Sequence, residues 1–125
     1  MRTLSPVVRT LATIAAVAAF VGVVMASSPE NVEKLKSTGS CAGCDLSGDN
    51  LSGIQAPNAD LTNAVLVDAT LYATNLSGAN LTGANLDGAN LAMANLQGAV
   101  GVVFSATTKT DWRTTCPDGS AGPCQ

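Results

Sequence analysis

The sequence predicts an all-β repeat architecture instead of a conventional globular core. Three observations carry this. Leu returns every fifth residue, at Leu46, Leu51, Leu61, Leu66, Leu71, Leu76, Leu81, Leu86, Leu91 and Leu96. A mostly small residue stands two places before each, and Asn or Asp usually stands between. The two residues after each Leu are drawn mainly from Ser, Thr, Gly, Asn and Asp, which form turns. A period of five fits neither an amphipathic helix nor a strand. Each Gly inside a helix would also cost about 1 kcal/mol against Ala.

With the Leu as position i, the frame runs without insertion or deletion for twelve units, from Cys41 to Leu96. Position 56 holds Ala56, and the unit reads I-Q-A-P-N, so the large residue has moved to i−2 at Ile54. That swap roughly conserves core volume, which cores tolerate best. Asp49 is the polar exception at i−2, where the first coil's cap or a bend would expose it. Val65 and Thr70 replace Asn or Asp at i−1, and both suit strands. By Gly101 the pattern has decayed.

These units, A-[DN]-L-x-x over roughly Cys41 to Ala99, resemble the pentapeptide-repeat family. The resemblance implies a right-handed quadrilateral β-helix, with one pentapeptide per side and four per coil, here about three coils. Positions i and i−2 would face the axis, and the ten leucines would form its core. Leu46, Leu66 and Leu86 would stack as one ladder, and Leu51, Leu71 and Leu91 as another.

The expected organisation has four parts. Residues 1–26 read as a signal peptide: Arg2 and Arg9 precede the apolar run Leu11 to Ala26, and Val24-Met25-Ala26 suits cleavage. The alternative is a membrane anchor, although the run is short of the ~20 residues needed to span. Residues 27–40 form a linker and a capping helix over 29–38. Ser28 is the N-cap, Pro29 the first helical position, and Glu30 and Glu33 lie near the positive end. Lys34 and Lys36 lie near the other end, and Gly39 stops it. A solenoid needs such a cap over its open end. Residues 41–100 are the repeat β-helix. Residues 101–125 form a C-terminal cap and an irregular, Cys-containing tail, with Phe104 and Trp112 as the plug of the last coil.

Four cysteines allow three disulfide connectivities. The pairs Cys41/Cys44 and Cys116/Cys124 flank the repeats. Three coils separate them, about 14 Å at ~4.8 Å per coil, beyond the ~7 Å limit between bonded cysteines. Local bridges are expected unless the tail doubles back along the rod. Zinc is disfavoured by the spacing of the second pair and the separation of the ends. The haem motif lacks its His, for the chain has none. A redox pair is disfavoured because Cys41 follows a helix C-terminus and sits near Asp45. The N-L-S and N-L-T triplets at Asn50, Asn75 and Asn80 arise from the repeat itself.

No catalytic set emerges, and no cofactor is called for. Without His the commonest general base is missing. No Lys or Arg lies between Lys36 and Lys109, so no basic stripe exists for nucleic acid. Loss of Arg2 and Arg9 would take the formal charge from −3 to −5. The leading expectation is an exported, periplasmic or extracellular, non-catalytic structural or interaction module. Its partner would be another protein, met on a flat face of the rod. The membrane enters only if residues 1–26 stay attached. The alternative, implied by the resemblance, is a DNA mimic that binds gyrase. A rod of ~14 Å is under half a DNA turn of ~34 Å, and its four outward acids, Asp45, Asp60, Asp68 and Asp87, are too few.

Overall fold

A computed structural model describes residues 29–125. The proposed signal peptide or anchor and the Ser28 cap lie outside the described residues. Helix α1 spans Pro29–Thr38. Gly39, at φ 68°, turns the chain out of it while its N–H donates to Leu35 O at 2.9 Å. This left-handed exit is the helix ending that glycine makes without penalty. Leu35 is buried and Val32 half-buried against the first coil. The Asn31 amide donates to Asp45 O at 2.9 Å, tying the helix to that coil.

From Ser40 the chain forms a β-solenoid. Parallel bridges join residues twenty apart in four columns: Ser40–Asp60–Asn80–Val100, Asp45–Val65–Asn85, Asn50–Thr70–Asn90 and Gln55–Asn75–Asn95. Four columns per twenty residues make four sides. Each unit closes with a turn, as where Ala69 N–H donates to Leu66 O at 3.1 Å.

The five-residue unit follows from where its amides go, since buried backbone donors need partners. In the Val65–Ala69 unit, Val65 N–H donates back to Cys44 O and Leu66 N–H forward to Asn85 O, both at 2.8 Å. Asp68 N–H donates forward to Asp87 O, and Ala69 closes the turn. Only the i+1 amide is left over. Across the repeats the Asn or Asp at i−1 accepts it: Asp60 Oδ1 from Thr62 N–H, Asn80 Oδ1 from Thr82 N–H, Asn95 Oδ1 from Gln97 N–H, at 3.0–3.1 Å. In the I-Q-A-P-N unit i−1 is Gln55, and i+1 is Pro57, which has no amide to satisfy.

Position i+2 is left-handed in every unit from Gly43 to Gly98. Asn58, Asn63, Asp68, Ala73 and Met93 hold it without being glycine. At Gly83 the residue is doubly constrained: φ is 74°, and a Cβ would collide with the Asn63 side chain of the coil before.

Leu46, Leu51, Leu61, Leu66, Leu71, Leu76, Leu81, Leu86, Leu91 and Leu96 are all buried, together with Cys41, Cys44 and most of the small residues at i−2. Asp49 is buried too; neither the cap nor a bend exposes it. Thr74 fits the same interior because its hydroxyl donates to Leu51 O at 2.7 Å. Ile54 is only half-buried, so the large-for-small swap is partial.

The tail differs from expectation. The bridges Asn90–Lys109 and Asn95–Thr115 carry the parallel register past Val100 as a further, partial turn. Turns close at Ser105–Thr108, Asp111–Thr114 and Cys116–Gly119. Ser105, Asp111 and Cys116 thus hold the turn-opening place that Leu holds in the repeats. The buried Thr114 hydroxyl donates to Leu91 O at 3.0 Å, and Thr108 to Leu86 O at 2.9 Å. The last turn ends the Leu ladder by hydrogen-bonding to it, where a bulky plug was expected. Phe104 does pack against the core, half-buried, but Trp112 is 70% exposed and plugs nothing.

Candidate functional site

The residues singled out as sites form the scaffold. Cys41 and Cys44 are bonded, as are Cys116 and Cys124, with Cα–Cα distances of 5.2 and 5.5 Å. The first bridge lies in the first coil beneath α1, where Cys41 Sγ is 3.4 Å from Asn31 O. The second closes the loop after the last turn, where Gly122 N–H donates to Thr114 O at 2.7 Å. Among the described residues, no group of three or more His, Cys, Asp or Glu is placed to hold a metal ion. None of their helices is long and apolar enough to cross a membrane.

Four of the carboxylates, Asp45, Asp60, Asp111 and Asp118, serve the turns. The Thr62 hydroxyl, at 2.6 Å, and the Thr62 amide hold the Asp60 carboxyl below its ordinary pKa of 3.8. Ser120 does the same for Asp118, first through its hydroxyl at 2.6 Å. Asp111 is lowered mainly by the Met93 amide, 3.0 Å away, with help from the Thr114 hydroxyl and the Arg113 amide and charge. These acids are ionised turn caps.

One corner of the rod is different in kind. Tyr72 is the second residue of the turn Leu71–Thr74, and Trp112 of the turn Asp111–Thr114. Between them lies the turn Leu91–Ala94, stacked on the first through Ala73 N–H to Ala92 O and under the last through Met93 N–H to Asp111 Oδ1. Tyr72, Ala92 and Trp112 therefore share one corner, the two aromatics two rungs or about 10 Å apart. Tyr72 is 42% and Trp112 70% exposed, with small Ala92 between. Ala73 and Met93 flank the line, and Arg113 lies over the indole, 5.0 Å from its centre. The sequence reading missed this corner because it stopped the frame near residue 100. The spacing of forty between Tyr72 and Trp112, two whole coils, was the available signal.

The match to a family of repeats agrees with this fold. Pentapeptide repeats match the chain over residues 40–78 and 64–100, with 8 copies. Through this segment the chain belongs to the pentapeptide-repeat family. Similar solved structures include the pentapeptide repeat protein Rfr23 of the cyanobacterium Cyanothece 51142, 23% identical over 68% of this chain and 96% of that one, TM-score 0.39. HetL of Nostoc sp. strain PCC 7120, involved in heterocyst differentiation regulation, is 31% identical over 66% of this chain and 40% of its own, TM-score 0.35. The Arabidopsis thaliana thylakoid-lumen protein AT2G44920 is 24% identical over 71% and 68%, TM-score 0.31. No curated protein sequence matches the chain.

Proposed function

We propose that this is an exported, non-catalytic protein-interaction module whose contact surface is the Tyr72–Ala92–Trp112 corner. The carrying observation is that corner: two large exposed aromatics in register on a rod whose other sides are lined mainly by Asn, Asp, Ser and Thr. Aromatic side chains that bring large area at low entropic cost are enriched at interface centres. Four cysteines tied in two bridges support an oxidising compartment. The DNA-mimic reading is weaker, because the outward acids are few and two of them, Asp45 and Asp60, are engaged as turn caps.

The test is a photo-crosslinking residue placed at Tyr72, Trp112 or Asn85 in the native cells, with the adducts' N-termini sequenced. The expected outcome is a shared adduct from Tyr72 and Trp112, none from Asn85, on chains that start at Ser27. Equal crosslinking from all three positions would remove the corner from the proposal, and full-length chains in the cytoplasm would remove export.

A further inference from the structure

The C-terminal end carries an unfilled strand position. Val100 is still bridged to Asn80. Gly101 follows at φ 70°, pressed so closely onto Thr82 that a Cβ would overlap its backbone. Over the next residues no backbone N–H or C=O of Gly101–Phe104 bonds to another protein group among the described residues. The stretch nevertheless reads as a strand. Val102 and Phe104 pack inward against the core, and Val103 between them points out, 68% exposed. β-branched and aromatic residues in strict alternation suit a pleated edge. An edge with free amides and carbonyls is a template for another strand.

Beside this edge lies a cavity of about 300 Å³. Val102 and Phe104 line one part, Pro117, Pro123 and the Cys116–Cys124 bridge another. Asp118 is the one acidic side chain in its lining. Its carboxylate is held ionised by Ser120.

We propose that residues 101–104 receive an extended peptide as an added strand, with an apolar residue seated in the cavity and a Lys or Arg beside Asp118. Main-chain bonds give such strand addition its affinity, and the pocket gives its specificity. Charge selects the occupant. Asp118 stands in the cavity wall, and the described residues as a whole carry nine acids against Lys34, Lys36, Lys109 and Arg113, so a second copy would bring a net negative chain to a carboxylate. A basic partner segment is the complement. Trp112 of the aromatic corner lies on the neighbouring turn but does not line this cavity, and the proposal does not depend on that reading or on export.

The probe is a fluorescein-labelled Lys-Val-Thr-Val-Lys peptide, titrated into the protein as purified from its own cells and followed by anisotropy and amide hydrogen exchange. The expected result is saturable binding with new protection at Val102, Val103 and Phe104. Methylating the peptide's valine amides should abolish it. Asp118→Asn, which keeps the oxygen that accepts from Ser120, should weaken it about two- to fivefold, the worth of one exposed ion pair. The Glu-Val-Thr-Val-Glu peptide should bind more weakly still. Binding that ignores amide methylation would overturn strand addition. So would protection of these amides in the free protein, whether from pairing with a second copy, seen by sedimentation, or with the chain's own N-terminal residues. Failure here with the crosslinks at Tyr72 and Trp112 intact would leave the corner reading standing.

Discussion

At the scale of the residue, the unit is explained by its odd amide. Four of its five backbone donors find carbonyls in the turn or in neighbouring coils, and the fifth is taken by the Asn or Asp at i−1. This gives the acid response a definite sign. The carboxyls of Asp45, Asp60, Asp111 and Asp118 are all held below 3.8 by hydrogen bonds. A depressed folded pKa contributes stability that is whole above the unfolded value and is lost as pH falls through the folded one. The melting temperature is therefore expected to hold from neutral pH to about pH 4 and drop below it. Replacing the four with Asn keeps the accepting oxygens and should flatten the acid limb, as thermal scans from pH 2 to 7 would show. An equally steep limb in the variant would mean that other groups govern acid unfolding. The sequence displayed Asn and Asp at i−1 plainly. Their role was not legible, because it depends on which amide the coil leaves over.

At the scale of the element, the two ends differ in construction. Helix α1 shuts the first coil with Leu35 and Val32 and is tied down through Asn31. This end was legible, since Pro, the charge order and Gly39 are local signals. The other end was not. Its last turn keeps the backbone register while exchanging Leu for Ser105, Asp111 and Cys116, so hydrophobic periodicity vanishes where the coil continues. One step is also uneven: Asn90 pairs with Lys109, nineteen residues on, and Asn95 with Thr115, twenty on. The extra residue falls in the Lys109–Thr115 segment, the turn that carries Trp112 outward. Opening the Cys116–Cys124 loop by Cys116→Ser with Cys124→Ser is expected to cost on the order of 2–3 kcal/mol. Exchange should rise first at Thr114, Thr115 and Gly119, before the amides of Leu66 and Leu71. Uniform loosening along the whole rod would show that this bridge is not a local clasp.

At the scale of the molecule, the core is one narrow column in which the leucines of the four sides stack in ladders, with the small residues at i−2 between them. The family, the solenoid and its frame could be read from twelve units; the aromatic corner went unread because the Leu period fades near residue 100, before the turn that carries Trp112. Leu71 sits in the middle coil, with Leu51 one coil before and Leu91 one coil after in the same ladder. Leu71→Ala is expected to cost about 2–5 kcal/mol. With so few coils the loss should appear as one cooperative transition in urea. A separate early transition confined to one half would show that the coils melt independently.

The twenty-residue pairing also constrains how this rod can change its length. A turn's Asn or Asp bond closes within its own unit, but every rung needs a partner one full circuit away. A gain of five residues between Tyr72 and Trp112 would displace every later side by a quarter circuit, setting the two aromatics on different corners. A gain of twenty leaves all four columns aligned and both closures untouched. Such a chain lengthens in whole circuits, and each circuit added between Tyr72 and Trp112 widens the gap between the two aromatic rings by one rung while leaving the ends as they are.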